Sequence, residues 1–163
     1  MEIVFERCYK RYLDFVFYFR RMQEHSIVYS LHQIEEIAER LLQFADEKKI
    51  FLFEGEMGSG KTTLIKKLCE KLQADTSLSS PTYSIVNEYP IRASSVKIYH
   101  MDLYRLKDMQ EALAIGIEEY LFSENYCFIE WAALIEPMLR DEAVKVQLSY
   151  IDENSRKMTI FKD

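Results

Sequence analysis

Eight consecutive residues, Gly55-Glu56-Met57-Gly58-Ser59-Gly60-Lys61-Thr62, follow the pattern G-x-x-x-x-G-K-[ST]. The chain has four glycines, and three of them, Gly55, Gly58 and Gly60, fall in this stretch. Glycine tolerates positive φ and lets backbone N–H groups approach phosphate oxygens closely. Lys61 is expected to reach the β- and γ-phosphates, the Thr62 hydroxyl to ligate Mg²⁺, and Thr63 to bond the α-phosphate. Gly58, Ser59, Gly60, Lys61, Thr62 and Thr63 are therefore the expected contacts of a nucleoside triphosphate. The guanine-reading motif N-K-x-D is absent, which favours ATP.

Such a loop needs an acid for the metal at the end of a neighbouring strand. Two residues qualify. Asp102 ends the apolar run Val96 to Met101, and Glu130 ends Tyr126 to Ile129. The lesser alternative for either is a solvated or hydrogen-bonded strand-end acid. Ser80-Pro81-Thr82-Tyr83 offers two hydroxyls on a turn stiffened by proline, although an ordinary surface turn has the same composition. His100 could act as a base, but a core histidine on a strand is the plainer reading. Arg105 could stabilise developing charge or form a structural ion pair. Tyr83, Tyr89, Tyr99 and Tyr104 read as packing residues.

The elements that must hold these groups follow from periodicity. Ser30 and Gln33 form a capping-box signal, after which Leu31, Ile34, Ala38, Leu41, Leu42 and Ala45 recur at helical spacing. Ile50-Phe51-Leu52-Phe53 reads as a buried strand running into the loop, and Leu64, Ile65, Leu68 and Leu72 mark one face of the helix after it. Asp108 with Glu111 predicts a helix reaching about Leu121. Val144-Val146-Leu148-Tyr150 and Met158-Ile160 alternate with polar residues on either side of Asp152-Glu153-Asn154-Ser155, which predicts a C-terminal hairpin. Strands alternating with helices point to an α/β fold of the P-loop NTPase kind, a mostly parallel sheet flanked by helices.

The 163 residues carry a net charge of −6 and suit one domain. Lys and Arg cluster only in residues 1–21, so direct, autonomous nucleic-acid binding is not expected. Cys8, Cys69 and Cys127 are odd in number and widely spaced, which suits free thiols in a reducing cytoplasm. No apolar run reaches the roughly 20 residues of a membrane helix. Residues 1–21 are aromatic and basic, unlike the rest of the chain. They read either as an extra amphipathic helix or as the product of a start assigned too early, with residues 22–163 as the P-loop domain.

Gly55 to Thr63, Ser80-Pro81-Thr82-Tyr83, His100-Met101-Asp102-Leu103-Tyr104-Arg105-Leu106, Gly116-Ile117-Glu118-Glu119-Tyr120 and Ile129-Glu130-Trp131 together resemble the TsaE (YjeE) family, in order and in spacing. That family is the bacterial ATPase of tRNA threonylcarbamoyladenosine (t6A) synthesis. The match runs from about Ser30 to the hairpin, with Met57 standing where the family often has leucine. The resemblance implies that Thr62 and Glu130 hold Mg²⁺, that Thr82 senses the γ-phosphate, and that Asp102 is needed for hydrolysis. With Lys61, these make the expected catalytic set Lys61, Thr82, Asp102 and Glu130. Trp131 and Ser30 join the nucleotide contacts. TsaB-like and TsaD-like partners are implied, with tRNA reached through their complex and no membrane involved. The chain is then a weak, partner-activated, Mg²⁺-dependent ATPase of the cytoplasm acting on modification of tRNA adenosine 37. A small-molecule or nucleotide kinase is the rival reading, and a non-hydrolysing nucleotide-binding scaffold a third.

Overall fold

The computed structural model describes residues 23–76, 84–139 and 142–162. Strands β1 (Gln23–Ser30), β2 (Ile50–Glu54), β3 (Val86–Pro90), β4 (Lys97–Asp102), β5 (Tyr126–Glu130), β6 (Ala143–Tyr150) and β7 (Ser155–Lys162) form one sheet. Their spatial order is β1-β7-β6-β2-β5-β4-β3. The four central strands, β6, β2, β5 and β4, run parallel. β1, β7 and β3 are added antiparallel at the two edges. The helices are α1 (Ile34–Ala45), α2 (Lys61–Lys71), α3 (Met109–Ala114), α4 (Ile117–Leu121) and α5 (Glu136–Leu139). The expected layered α/β architecture is present.

A parallel sheet is buried on both faces, and strand period two divides its residues between them. Phe51 and Phe53 pack with Leu64, Ile65 and Leu68 of α2 and Leu41 of α1. Ile50 and Leu52 point the other way, toward Ile117, Leu121, Ile135 and Leu139. Phe51 meets Phe128 edge to face with ring centroids 5.2 Å apart. Truncating so enclosed a ring to alanine costs about 3–5 kcal/mol, through lost transfer energy and an unfilled cavity.

Two local expectations need correction, and two strands had no sequence signal. Ser30 does not open an α-helix directly: it closes β1, is followed by a 3-10 turn over Leu31–Gln33, and α1 begins at Ile34. The capping box is nonetheless made, with Gln33 Oε1 accepting from Ser30 N at 2.9 Å and from Ser30 Oγ at 3.1 Å. The helix expected from Asp108 to Leu121 is two helices, because Gly116 takes φ +72° and turns the chain between them. Asp108 caps the first, accepting from Glu111 N at 2.9 Å. β1 and β3 lack clean alternation in sequence. Their pairing with β7 and β4 makes them strands, a tertiary effect that outweighs local pattern.

Candidate functional site

The glycine-rich loop joins the carboxyl end of β2 to α2. Gly55, Gly58 and Gly60 all adopt positive φ. At Gly55 the need for glycine is also steric: a Cβ there would lie 2.2 Å from the Leu148 carbonyl oxygen of β6. At Gly58 the space a Cβ would occupy is open on all sides within 4 Å, so the loop leaves room above its backbone. Ser59 is buried, and its Oγ has no hydrogen-bond partner.

Lys61 starts α2 and is 4% exposed. Its Nζ donates to the Gly55 carbonyl at 2.8 Å and to the Glu56 carbonyl at 3.0 Å. The ammonium also lies 4.2 Å from the centre of a Trp131 ring. Trp131 directly follows β5 in a left-handed conformation, φ 59°, and packs on Tyr104 with centroids 4.9 Å apart. The loop lysine is thus folded onto its own loop beside the Trp131 ring.

Thr62 Oγ1 donates to Glu130 Oε1 at 2.7 Å. The same oxygen is 2.9 Å from His100 Nε2. Strand register brings this about. Phe53 is opposite Glu130 across β2 and β5, and Asp102 is opposite Glu130 across β5 and β4. Both acids therefore reach the same sheet edge, yet it is Glu130 that receives the Thr62 hydroxyl. Asp102 is exposed, and its Oδ1 accepts from Tyr104 N at 3.0 Å. Burial works to raise the Glu130 carboxyl. The hydrogen bonds from His100 and Thr62, with the charges of His100 and Lys61, outweigh it and hold the group below the ordinary carboxylate range.

A hydroxyl has one proton and two lone pairs. With its proton committed to Glu130, Thr62 keeps lone pairs for a cation. No cluster of three or more His, Cys, Asp or Glu side chains able to hold a metal occurs among the described residues. One hydroxyl and one carboxylate suit Mg²⁺, a hard ion that retains waters and is shared with phosphates rather than caged by protein. The residues present fit a Mg²⁺–nucleotide pair.

In the sequence Arg156 is only one of several scattered arginines. In the fold it sits on β7 beside the loop, its Nε 3.9 Å from where a Cβ on Gly60 would be. That Nε is buried and unpartnered. Nη1 donates to the Asp152 and Ser155 carbonyls at 2.6 and 2.9 Å, and the guanidinium lies 4.6 Å from the Tyr150 ring centre. No local motif announces this residue, because only the pairing of β6 with β7 brings it to the loop. Ser30 lies at the same end, opposite Ser155, with its hydroxyl engaged by Gln33. Thr82 and the rest of Ser80-Pro81-Thr82-Tyr83 lie outside the described residues.

Comparison with known proteins gives a consistent result. The family model described as "Threonylcarbamoyl adenosine biosynthesis protein TsaE" matches residues 28–158. A protein of that name from Bacillus subtilis (strain 168) is 35% identical over 123 residues, 76% of this chain and 75% of the relative. One from Haemophilus influenzae is 36% identical over 120 residues, 73% of this chain and 75% of the relative. The crystal structure of Bacillus subtilis YdiB superposes with a TM-score of 0.65 at 26% identity, covering 86% of both chains.

Proposed function

The chain belongs to the TsaE family of tRNA threonylcarbamoyladenosine biosynthesis proteins, and from that premise we propose that it binds and hydrolyses ATP with Mg²⁺ to support t6A modification of tRNA adenosine 37, acting with TsaB-like and TsaD-like proteins. The observation that carries the proposal is the 2.7 Å bond from Thr62 to Glu130 beneath the loop lysine.

In this reading the residues divide the work. The loop N–H groups of Gly58 to Thr63 cradle the phosphates. Lys61 leaves the Gly55 and Glu56 carbonyls and turns to the β- and γ-phosphates. Thr62 and Glu130 hold Mg²⁺, which supplies charge neutralisation at the transferring phosphoryl group. Asp102, at the same sheet edge, is the acid assigned to orienting the attacking water, and Thr82 is assigned to sensing the γ-phosphate. Trp131 borders the nucleotide. Arg156, Tyr150 and Ser30, on the side of β2 away from Glu130, are assigned to the ribose and base. Activity of the chain alone is expected to be weak, because partner proteins complete the site. The proposed setting is the cytoplasm. Among the described residues no helix is long and apolar enough to cross a membrane. We take residues 22–163 as the ATPase domain and residues 1–21 as an extension; within the domain β1 pairs with β7 over Gln23–Ser30.

The test is ATP-dependent stimulation of a purified TsaB–TsaD pair making t6A on tRNA. The unaltered chain should stimulate, whereas Lys61→Ala and Glu130→Ala should not. Full stimulation by either variant would overturn the proposal. Phosphorylation of a small-molecule acceptor, without stimulation, would favour a kinase instead.

A further inference from the structure

His100 is one of five polar or charged residues buried among those described, and it lies on β4 two residues before the strand-end Asp102. Its Nε2 is 2.9 Å from Glu130 Oε1, and both side chains are nearly closed to solvent, at 10% and 6% exposure. Glu130 Oε1 in turn accepts the Thr62 hydroxyl at 2.7 Å. His100 also borders a cavity of about 300 Å³ lined in part by Tyr89 and Cys69. The Tyr89 ring stands beside the imidazole, with ring centroids 6.4 Å apart, and β4 carries His100 between β5 and β3.

We infer that His100 is a positioning residue for the Mg²⁺ site, holding Glu130 so that Glu130 in turn aims the Thr62 hydroxyl. The inference rests on the Mg²⁺–ATP reading above. A glutamate on a strand end can turn about three side-chain bonds unless something holds its carboxylate. Here two donors converge on one oxygen. Thr62 cannot fix Glu130 by itself, because the hydroxyl's own rotor is set by that same bond. The imidazole is carried by a central strand and breaks the circularity. Partners behind a metal ligand commonly contribute about 10- to 100-fold in metal affinity. His100→Gln keeps an N–H donor of similar reach, while His100→Leu keeps the volume and loses the donor.

The experiment is calorimetric binding of a non-hydrolysable ATP analogue in excess Mg²⁺ and again in EDTA. The ratio of the two affinities is the Mg²⁺ gain. In His100→Leu the gain should fall about tenfold or more, the EDTA affinity should stay within about threefold, and His100→Gln should recover most of the gain. A Mg²⁺ gain in His100→Leu equal to that of the unaltered chain overturns the inference, as does an equal loss in both conditions. If His100→Leu does not fold, the same pair of titrations on His100→Ala decides. An unaltered chain with no Mg²⁺ gain overturns the metal reading itself; a gain present there and kept in the leucine variant overturns only the role of His100.

Discussion

Thr62 and Glu130 are 68 residues apart in the chain and joined by a hydrogen bond of 2.7 Å. The bond ties the first turn of α2 to the end of β5, and it sets which strand-end acid stands under the phosphate loop. Replacing Glu130 by Gln keeps an acceptor for Thr62 but removes the charge. Mg²⁺-dependent ATP turnover, measured with partner proteins, should fall about 100-fold. Nucleotide affinity in EDTA should change little. Turnover within a few-fold of the unaltered chain would rule out Glu130 as a metal ligand.

Lys61 is buried and held by two loop carbonyls. Lys61→Ala should weaken ATP binding by about 10- to 100-fold, the scale of a lost charge-assisted hydrogen bond. Calorimetric titration measures it, and an unaltered dissociation constant would contradict the assignment.

Trp131 is the chain's single tryptophan and stands 4.2 Å from Lys61. If Lys61 turns to phosphate on binding, the indole loses a cationic neighbour. ATP should therefore change the intrinsic tryptophan emission, and Lys61→Ala should abolish that change at matched occupancy. An emission spectrum indifferent to saturating ATP would argue against the movement.

Gly55 combines φ +142° with a 2.2 Å approach of its missing Cβ to a backbone carbonyl. Backbone on both sides cannot yield cheaply. Gly55→Ala should destabilise the fold by about 3 kcal/mol or more, read as the urea midpoint. Gly58→Ala meets no neighbour within 4 Å and is strained only by its φ of +79°, so it should cost less. A reversed order would refute the packing argument.

Burial pushes the Cys69 and Cys127 thiols up to about 12 from 9.0. Both should resist alkylation at pH 8 in the folded protein and react on unfolding. The folded state keeps these protons where the unfolded chain loses them. The stability they contribute is therefore whole below about pH 9 and declines as pH rises toward about 12. Rapid labelling of either thiol under native conditions would count against it.

Arg156 offers a buried, unpartnered Nε beside Gly60. Arg156→Ala should weaken nucleotide binding several-fold. Loss of thermal stability with unchanged affinity would show that the side chain serves the hairpin alone.

The features legible in the sequence were local ones. The eight-residue loop is a run of adjacent residues, and Gly55, Gly58 and Gly60, which all take positive φ, could be read directly. Phe51 and Phe53 announced a buried strand for the same reason, and the alternation of Val144 to Tyr150 announced the hairpin. The family pattern from Ser30 to Trp131 carried the rest of the functional expectation. Gly116 was visible as a residue but not as a break between α3 and α4. Its positive φ ends α3 in the left-handed conformation glycine favours just past a helix, and Ala112, Ile117 and Leu121 on either side of it share one core cluster.

Sequence alone thus determined the family, the parallel α/β layering and the two acids that had to be weighed, and it pointed to a nucleoside triphosphate as the ligand to test. The tertiary structure decided between positions of those acids, because the order β6-β2-β5-β4 puts the end of β5 next to the loop and the end of β4 one strand further away. It also brought His100 behind Glu130 and Arg156 beside Gly60. Both contacts join residues far apart in the chain, and no local periodicity encodes a neighbour at such a distance. They arise only when burial of both sheet faces fixes which strands lie side by side.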